Sequence, residues 1–249
     1  MSLTEQAIEH IRRLIMEGVL LPGSRLPPEQ ELAVELGLSR NLLREAVRSL
    51  VTIRVLEVRR GDGTFVTSLK PDLLLEGVGL AVEMMRGDDL LEIMEVRRLF
   101  EPVATGLSAT RISAGQLAVV ERHLQAMVAA QDDVEALNHH DDAFHRAVFE
   151  ATGNRSLFAL LGGISGRTLR ARVWRGLVED NVAGRTVAEH TAIYQALADG
   201  DASLAHAAAL VHVSTTETWL RRNLARSFTD AEARERTART DADGAVVAH

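Results

Sequence analysis

Between Leu3 and Leu50 the chain spells three helices separated by glycine stops, and this order constrains the fold more than any other feature. Leu3, Ala7, Ile8, Ile11, Leu14 and Ile15 fall on one helical face. Gly18 ends that helix, and Leu21-Pro22-Gly23 marks a turn. Pro27-Pro28 opens a second helix with Glu29 and Glu31 in its first turn, where the helix dipole favours acids. Gly37 stops it. Ser39 can cap a third helix from Arg40 to about Thr52, with Leu42, Leu43, Ala46, Val47 and Leu50 as its buried face. Helix, short glycine turn, helix is the helix-turn-helix pattern.

The texture then changes. Val55, Glu57 and Arg59 alternate with Leu56, Val58 and Arg60, Gly61-Asp62-Gly63 follows, and Thr64-Phe65-Val66-Thr67 resumes the β-rich run. This predicts a hairpin, and three helices plus a hairpin make a winged helix-turn-helix. No convincing strand follows. Residues 69–75 read as a linker around Pro71. Helical patterns then run from Leu73 to Met85 and from Leu90 to about Ser108, broken at Gly87. Further ones run from Ser113 to Gln131, and from Asp132 or Asp133 to Thr152. The last three run from Leu157 to Val178, from Thr186 to Ala198, and from Ala202 to about Phe228. The expected fold is mainly α. A winged domain over 1–68 precedes an all-α bundle of six or seven helices over 76–228, and 229–249 is expected to be a disordered tail.

Arg40, Arg44 and Arg48 share a stripe at i, i+4 and i+8 on the third helix, and Arg54, Arg59 and Arg60 follow. Residues 39–60 hold six arginines against two acids, a net charge of +4. An isolated stripe is usually a solvated face. Placed second in a helix-turn-helix, it is the expected reader of the DNA major groove. The whole chain carries −7, so the other 227 residues carry −11, and overall acidity does not exclude DNA. Cysteine is absent, which excludes disulfides and thiolate sites and fits a reducing cytoplasm. The first residues show no signal peptide and no stretch is apolar enough for a membrane span, so a cytoplasmic protein is expected.

The blocks Leu26-Pro27-Pro28-Glu29-Gln30-Glu31-Leu32-Ala33, Leu38-Ser39-Arg40, Leu43-Arg44-Glu45-Ala46-Val47-Arg48-Ser49-Leu50 and Arg60-Gly61-Asp62-Gly63-Thr64-Phe65-Val66 resemble the DNA-binding domain of GntR-family bacterial transcription regulators. The resemblance implies DNA contact from Gln30, Arg40, Asn41, Leu42, Arg44, Gly61 and Gly63, and Ser39 with Arg48 of the stripe and Arg60 of the wing are expected to join them. Gln30 stands where many relatives carry Arg. Arg54 occupies the place of a usual glycine, so a less sharp end to the third helix is expected.

Asp141 and His145 are four apart on one predicted helix, so carboxylate and imidazole can converge; His190 and His212 lie on later helices. On spacing alone a helix-surface hydrogen bond is the commoner reading. Glu95-Val96-Arg97-Arg98-Leu99-Phe100-Glu101-Pro102, Asp141-Asp142-Ala143-Phe144-His145-Arg146, Gly153-Asn154 and Glu189-His190-Thr191-Ala192-Ile193 are similar to the FCD ligand-binding domain of the FadR-like branch. The resemblance implies a divalent ion (Zn, Ni or Mn type) on Asp141, His145, His190 and His212. It also places Arg97 near a ligand carboxylate, against the plainer reading of an i,i+4 surface pair with Glu101. Arg170 and Arg172 are further candidates for the effector pocket, and Trp174 and Tyr194 for its shape. The expected protein is a homodimeric transcription regulator, a repressor of operator DNA released by a small carboxylate effector. A metal-dependent enzyme on a small organic acid, or a regulator with a purely structural ion, are the competing readings. No acid or base is marked beside the site, and an enzyme would leave the first 67 residues unexplained.

Overall fold

The computed structural model describes residues 2–84, 89–179 and 181–223, except the side chains of 76, 80, 83, 166–174, 177 and 178. These residues fall into two compact units dividing at Leu80/Ala81. Gly87 and the tail from 229 lie outside the described residues.

In the first unit, α1 (Leu3–Met16) opens on a capping box: Ser2 Oγ accepts from the Glu5 amide, and the Glu5 carboxylate accepts from the Ser2 amide. α2 (Glu29–Glu35) and α3 (Arg40–Thr52) follow, the latter capped by Ser39, whose Oγ accepts from the Leu42 amide. β1 (Leu56–Arg59) and β2 (Gly63–Val66) pair antiparallel, with Leu56 opposite Val66 and Arg59 opposite Gly63. The apolar faces meet in one core that includes Ala7, Ile11, Leu32, Leu43, Leu50, Leu56 and Val66. Leu3, placed on the buried face by periodicity, is exposed at the start of α1. Arg25 extends the hairpin by a single bridge to Phe65. The end of α3 is sharp after all: Arg54 itself takes the left-handed backbone, φ 61°, that a glycine would adopt freely.

Residues 71–74, read as linker, form a helical turn, α4 (Pro71–Leu74), because Pro71 sits at a first helical position where its missing N–H costs nothing. α5 (Glu76–Met84) follows it.

The second unit is helical. It contains α6 (Asp89–Ala109), α7 (Ala114–Ala129), α8 (Val134–Ala151), α9 (Arg155–Val178), α10 (Val182–Ala198) and α11 (202–223). Ser113, Asp133 and Asn154 cap α7, α8 and α9 with side-chain oxygens. α9 runs through Gly162, Gly163 and Gly166. Burial of Leu161 and Ile164 beside them offsets a glycine cost of about 1 kcal/mol each. α10 begins four residues before the predicted start. Phe144, Val148, Phe149, Ile193 and Leu197 centre the core. Gly106 lets α6 approach the start of α11: a Cβ there would stand 2.9 Å from the Ala202 carbonyl oxygen. Among the described residues no helix is long and apolar enough to cross a membrane.

Candidate metal centre and DNA-reading face

α8 carries Asp141 and His145 one turn apart, α10 carries His190, and α11 carries His212. All four are buried, and one ligand atom from each lies within 4.8 Å of the others. His145 Nε2 stands 3.2 Å from His190 Nε2 and 3.2 Å from His212 Nε2. His190 Nε2 is 2.9 Å from Asp141 Oδ1, and His145 Nε2 is 3.9 Å from it. Nitrogens bound to one ion at about 2.0–2.1 Å stand roughly 2.9 Å apart at right angles and 3.3–3.4 Å apart in a tetrahedron, so the imidazole spacing suits a shared ion.

The outward nitrogens fix the rings. His190 Nδ1 lies 2.8 Å from the Thr186 carbonyl, which only accepts, so Nδ1 carries a proton and Nε2 is the nitrogen turned towards the cluster. His212 Nδ1 donates to Glu189 Oε2 at 2.9 Å and is oriented the same way. His145 Nε2 carries at most one proton, so it can donate to only one of the two rings facing it. Burial, followed by the charges of His190, His212 and Arg97 against an opposing Glu101, holds the His145 imidazole well below its ordinary pKa. It is therefore neutral, the ligating form. Burial pushes the Glu189 carboxyl up against a Thr215 hydrogen bond and the charge of His190. Three imidazoles and a carboxylate, buried together and with His190 and His212 braced on their outer nitrogens, fit a divalent ion of the zinc or nickel type.

Arg97, on α6, does pair with Glu101, but the pair is in the interior rather than on the surface. Nε donates to Oε1 at 2.5 Å and Nη2 to Oε2 at 3.2 Å, with Arg97 and Glu101 each 1% exposed. Burial raises the Glu101 carboxyl; Arg97, His145 and His212 outweigh it and hold the pKa below its ordinary value. Glu101 is thus within electrostatic reach of two of the four cluster residues. The side chains of Arg170, Arg172 and Trp174 lie outside the described residues. Tyr194 packs on the hydrophobic core. Sequence reasoning missed Arg175, a buried cation on α9, and gave no role to Thr186 or Glu189. Glu189 adjoins His190 in sequence, which was an available signal; nothing in the spacing singled out Arg175 from its neighbouring arginines.

On the first unit, Gln30, Ser39, Arg40, Asn41, Arg44, Arg48, Arg60 and Gly61 are exposed, while Leu42 and Gly63 are half-buried. Arg44 Nε stands 3.4 Å from a Glu29 carboxylate oxygen, and Arg48 pairs with Glu45 at 2.7 Å. At the wing, Arg59 stacks over the Phe65 ring at 4.2 Å. Gly63 has φ +126°, and a Cβ there would lie 2.9 Å from Arg25 Nε, so the turn requires glycine.

A winged helix-turn-helix with an arginine stripe, followed by a helical unit enclosing a polar cluster, defines a DNA-binding transcription regulator. The model of bacterial regulatory proteins of the gntR family matches residues 3–66, and the FCD domain model matches 92–215. The galactonate operon transcriptional repressor of Escherichia coli is 33% identical over 218 residues, covering 86% of this chain and 94% of the relative. The transcriptional regulator LutR of Bacillus subtilis is 29% identical over 209 residues, 82% of this chain and 94% of the relative. A solved structure of Streptococcus agalactiae GntR superposes with a TM-score of 0.62 at 29% identity, covering 86% of this chain and 99% of that one. The chain belongs to the GntR family, in its FadR-like, FCD-carrying branch; it is a regulator that binds operator DNA and not an enzyme.

Proposed function

We propose that this protein is a cytoplasmic, homodimeric repressor released from its operator by a small hydroxy or sugar acid bound beside a divalent metal. The observation that carries the reading is the buried convergence of Asp141, His145, His190 and His212, with outer nitrogens braced by Thr186 and Glu189, in a chain similar to a galactonate operon repressor. Residues 1–68 read DNA, 69–75 link, and 76–228 sense. Arg40, Asn41 and Arg44 enter the major groove with Leu42, while Gln30, Ser39, Arg48 and the wing residues Arg60, Gly61 and Gly63 fix the register on the backbone. Two-fold symmetry matches a pseudo-palindromic operator.

Asp141, His145, His190 and His212 would hold the ion, and the chemistry it would supply there is a buried positive charge for the carboxylate and hydroxyl oxygens of the effector. Arg97 is the nearby guanidinium on α6, and an effector carboxylate competes with Glu101 for it. Effector binding releases DNA only through a different affinity for the DNA-competent and released states. The test is native mass spectrometry of the purified protein for a co-purified metal and small acid. A gel shift on the DNA flanking its own gene then follows, with and without galactonate, gluconate and lactate. Saturable, salt-dependent binding relieved by one of these acids supports the reading; no binding to that DNA rejects it.

A further inference from the structure

Beside the four-residue cluster lies a crevice of about 20 Å³, walled by Asn138, Asp141, Thr186, His212 and Thr216. That is room for a water, whereas a small-molecule site takes about 300–1,000 Å³. A second cavity of about 480 Å³ opens at the surface, with Arg185, Val211, Thr218 and Arg222 exposed at its rim and Trp219 in its wall. Arg175 lines both. It is 5% exposed. Its Nε donates to Glu179 Oε2 at 2.7 Å, its Nη1 donates to Thr216 Oγ1 at 3.2 Å, and it lies 5.8 Å from the Trp219 ring. Glu179 is also held by Arg185, and the two arginines outweigh burial to keep its carboxyl below the ordinary range. Thr216 stands one helical turn past His212, so one face of α11 carries both a cluster residue and the latch on Arg175.

We propose that Arg175 is the gate between the outer cavity and the crevice beside the metal cluster, and that it admits carboxylates by exchanging Glu179 for the carboxylate of the incoming acid. This rests on the effector reading above. The exchange replaces one carboxylate by another, so the buried guanidinium never stands unpaired, and Glu179 keeps Arg185. A neutral polyol of the same shape offers no anion and leaves the gate on Glu179. Discrimination between a sugar acid and its uncharged counterpart is thereby made at Arg175, before the metal is reached. Glu179 caps α9, and α10, which carries His190, begins at Val182. Release of Glu179 therefore acts on the α9–α10 junction.

The test uses the zinc-loaded full chain and a panel of galactonate, gluconate and lactate, with galactitol as the neutral control. Affinity is measured by calorimetry and association by stopped-flow fluorescence. Arg175→Met is expected to weaken the best-bound acid about ten- to hundred-fold with zinc content unchanged, the melting temperature being followed to confirm that the variant is folded at the assay temperature. Arg175→Lys restores part of the loss, and Glu179→Gln speeds association. If Arg175→Met binds the acid as tightly as the parent while Arg97→Met does not, the effector site stands and the gate is wrong. Should Arg175→Met fail to fold, an unchanged association rate in Glu179→Gln overturns the gate. Absence of binding to any panel acid by the zinc-loaded parent overturns the effector reading and the gate with it.

Discussion

Metal binding to the bundle is open to a quantitative test by heat. The ligands come from α8, α10 and α11, so the assembled site exists only in the folded bundle, and an ion that occupies it stabilises by mass action. At a free ion concentration about a hundredfold above Kd the gain is roughly 2.7 kcal/mol. A unit of this size shifts by about 2–4 °C per kcal/mol, so the melting temperature of chelator-treated protein should rise by about 5–11 °C on adding zinc, nickel or manganese. His190 is fully buried, 2.9 Å from Asp141 and 3.2 Å from His145, so His190→Ala removes the central ligand. Its apo form melts lower because of the cavity; the metal-induced increment cancels that loss and is the quantity to compare. The increment should fall to a small remainder. One source of remainder is visible: His123 and His140 face each other on α7 and α8 with Nδ1 atoms 3.4 Å apart, and His123→Ala should erase it. An increment in His190→Ala equal to that of the parent, or no increment in the parent with any of the three ions, refutes metal binding at this cluster.

The apo protein should lose stability as pH falls below about 6.5. His145 is held neutral in the fold while its unfolded counterpart takes up a proton, so stability is retained above the unfolded value and falls by up to about 1.4 kcal/mol per pH unit beneath it. His145→Asn should flatten that slope in urea titrations, and an unchanged slope would contradict the assignment. Glu101→Gln leaves Arg97 buried without its anion and should cost about 3–5 kcal/mol in the same titrations. Arg44→Ala should cost about 1–3 kcal/mol of operator binding and relax preference at one base pair. Arg48→Ala should weaken all sequences evenly and lower the salt slope by about 1, both read by fluorescence anisotropy. Gly63→Ala forces a side chain into a left-handed turn against Arg25 and should destabilise the winged unit by about 1–3 kcal/mol, seen as an early transition in hydrogen exchange.

The winged unit was legible because its signals are local. Ser39, Gly61-Asp62-Gly63 and the apolar face of α3 each specify geometry within a few residues, and the structure departs from the expectation at Leu3, which is exposed, at Leu42, which is half-buried, and at Arg54. The helices of the bundle were legible by period, and the predicted helix from Leu157 to Val178 does continue through its three glycines; the error is at α10, which starts at Val182, before Thr186. The cluster was half-legible. Asp141 and His145 share a turn, but their meeting with His190 and His212 depends on how α10 and α11 pack, and only family resemblance supplied it. Glu101 and Arg175 were not legible as site residues. Their neighbourhood is set by burial between helices far apart in sequence, and an arginine's spacing does not say whether its guanidinium faces water or the interior.

The most direct test of the whole account is operator anisotropy on the metal-loaded protein as the best-bound acid is titrated in, repeated after chelation and repeated with His190→Ala. The account predicts that the acid lowers operator affinity only when the ion and all four ligands are present. Equal release by the acid in the chelated protein and in His190→Ala would show that the metal cluster takes no part in sensing.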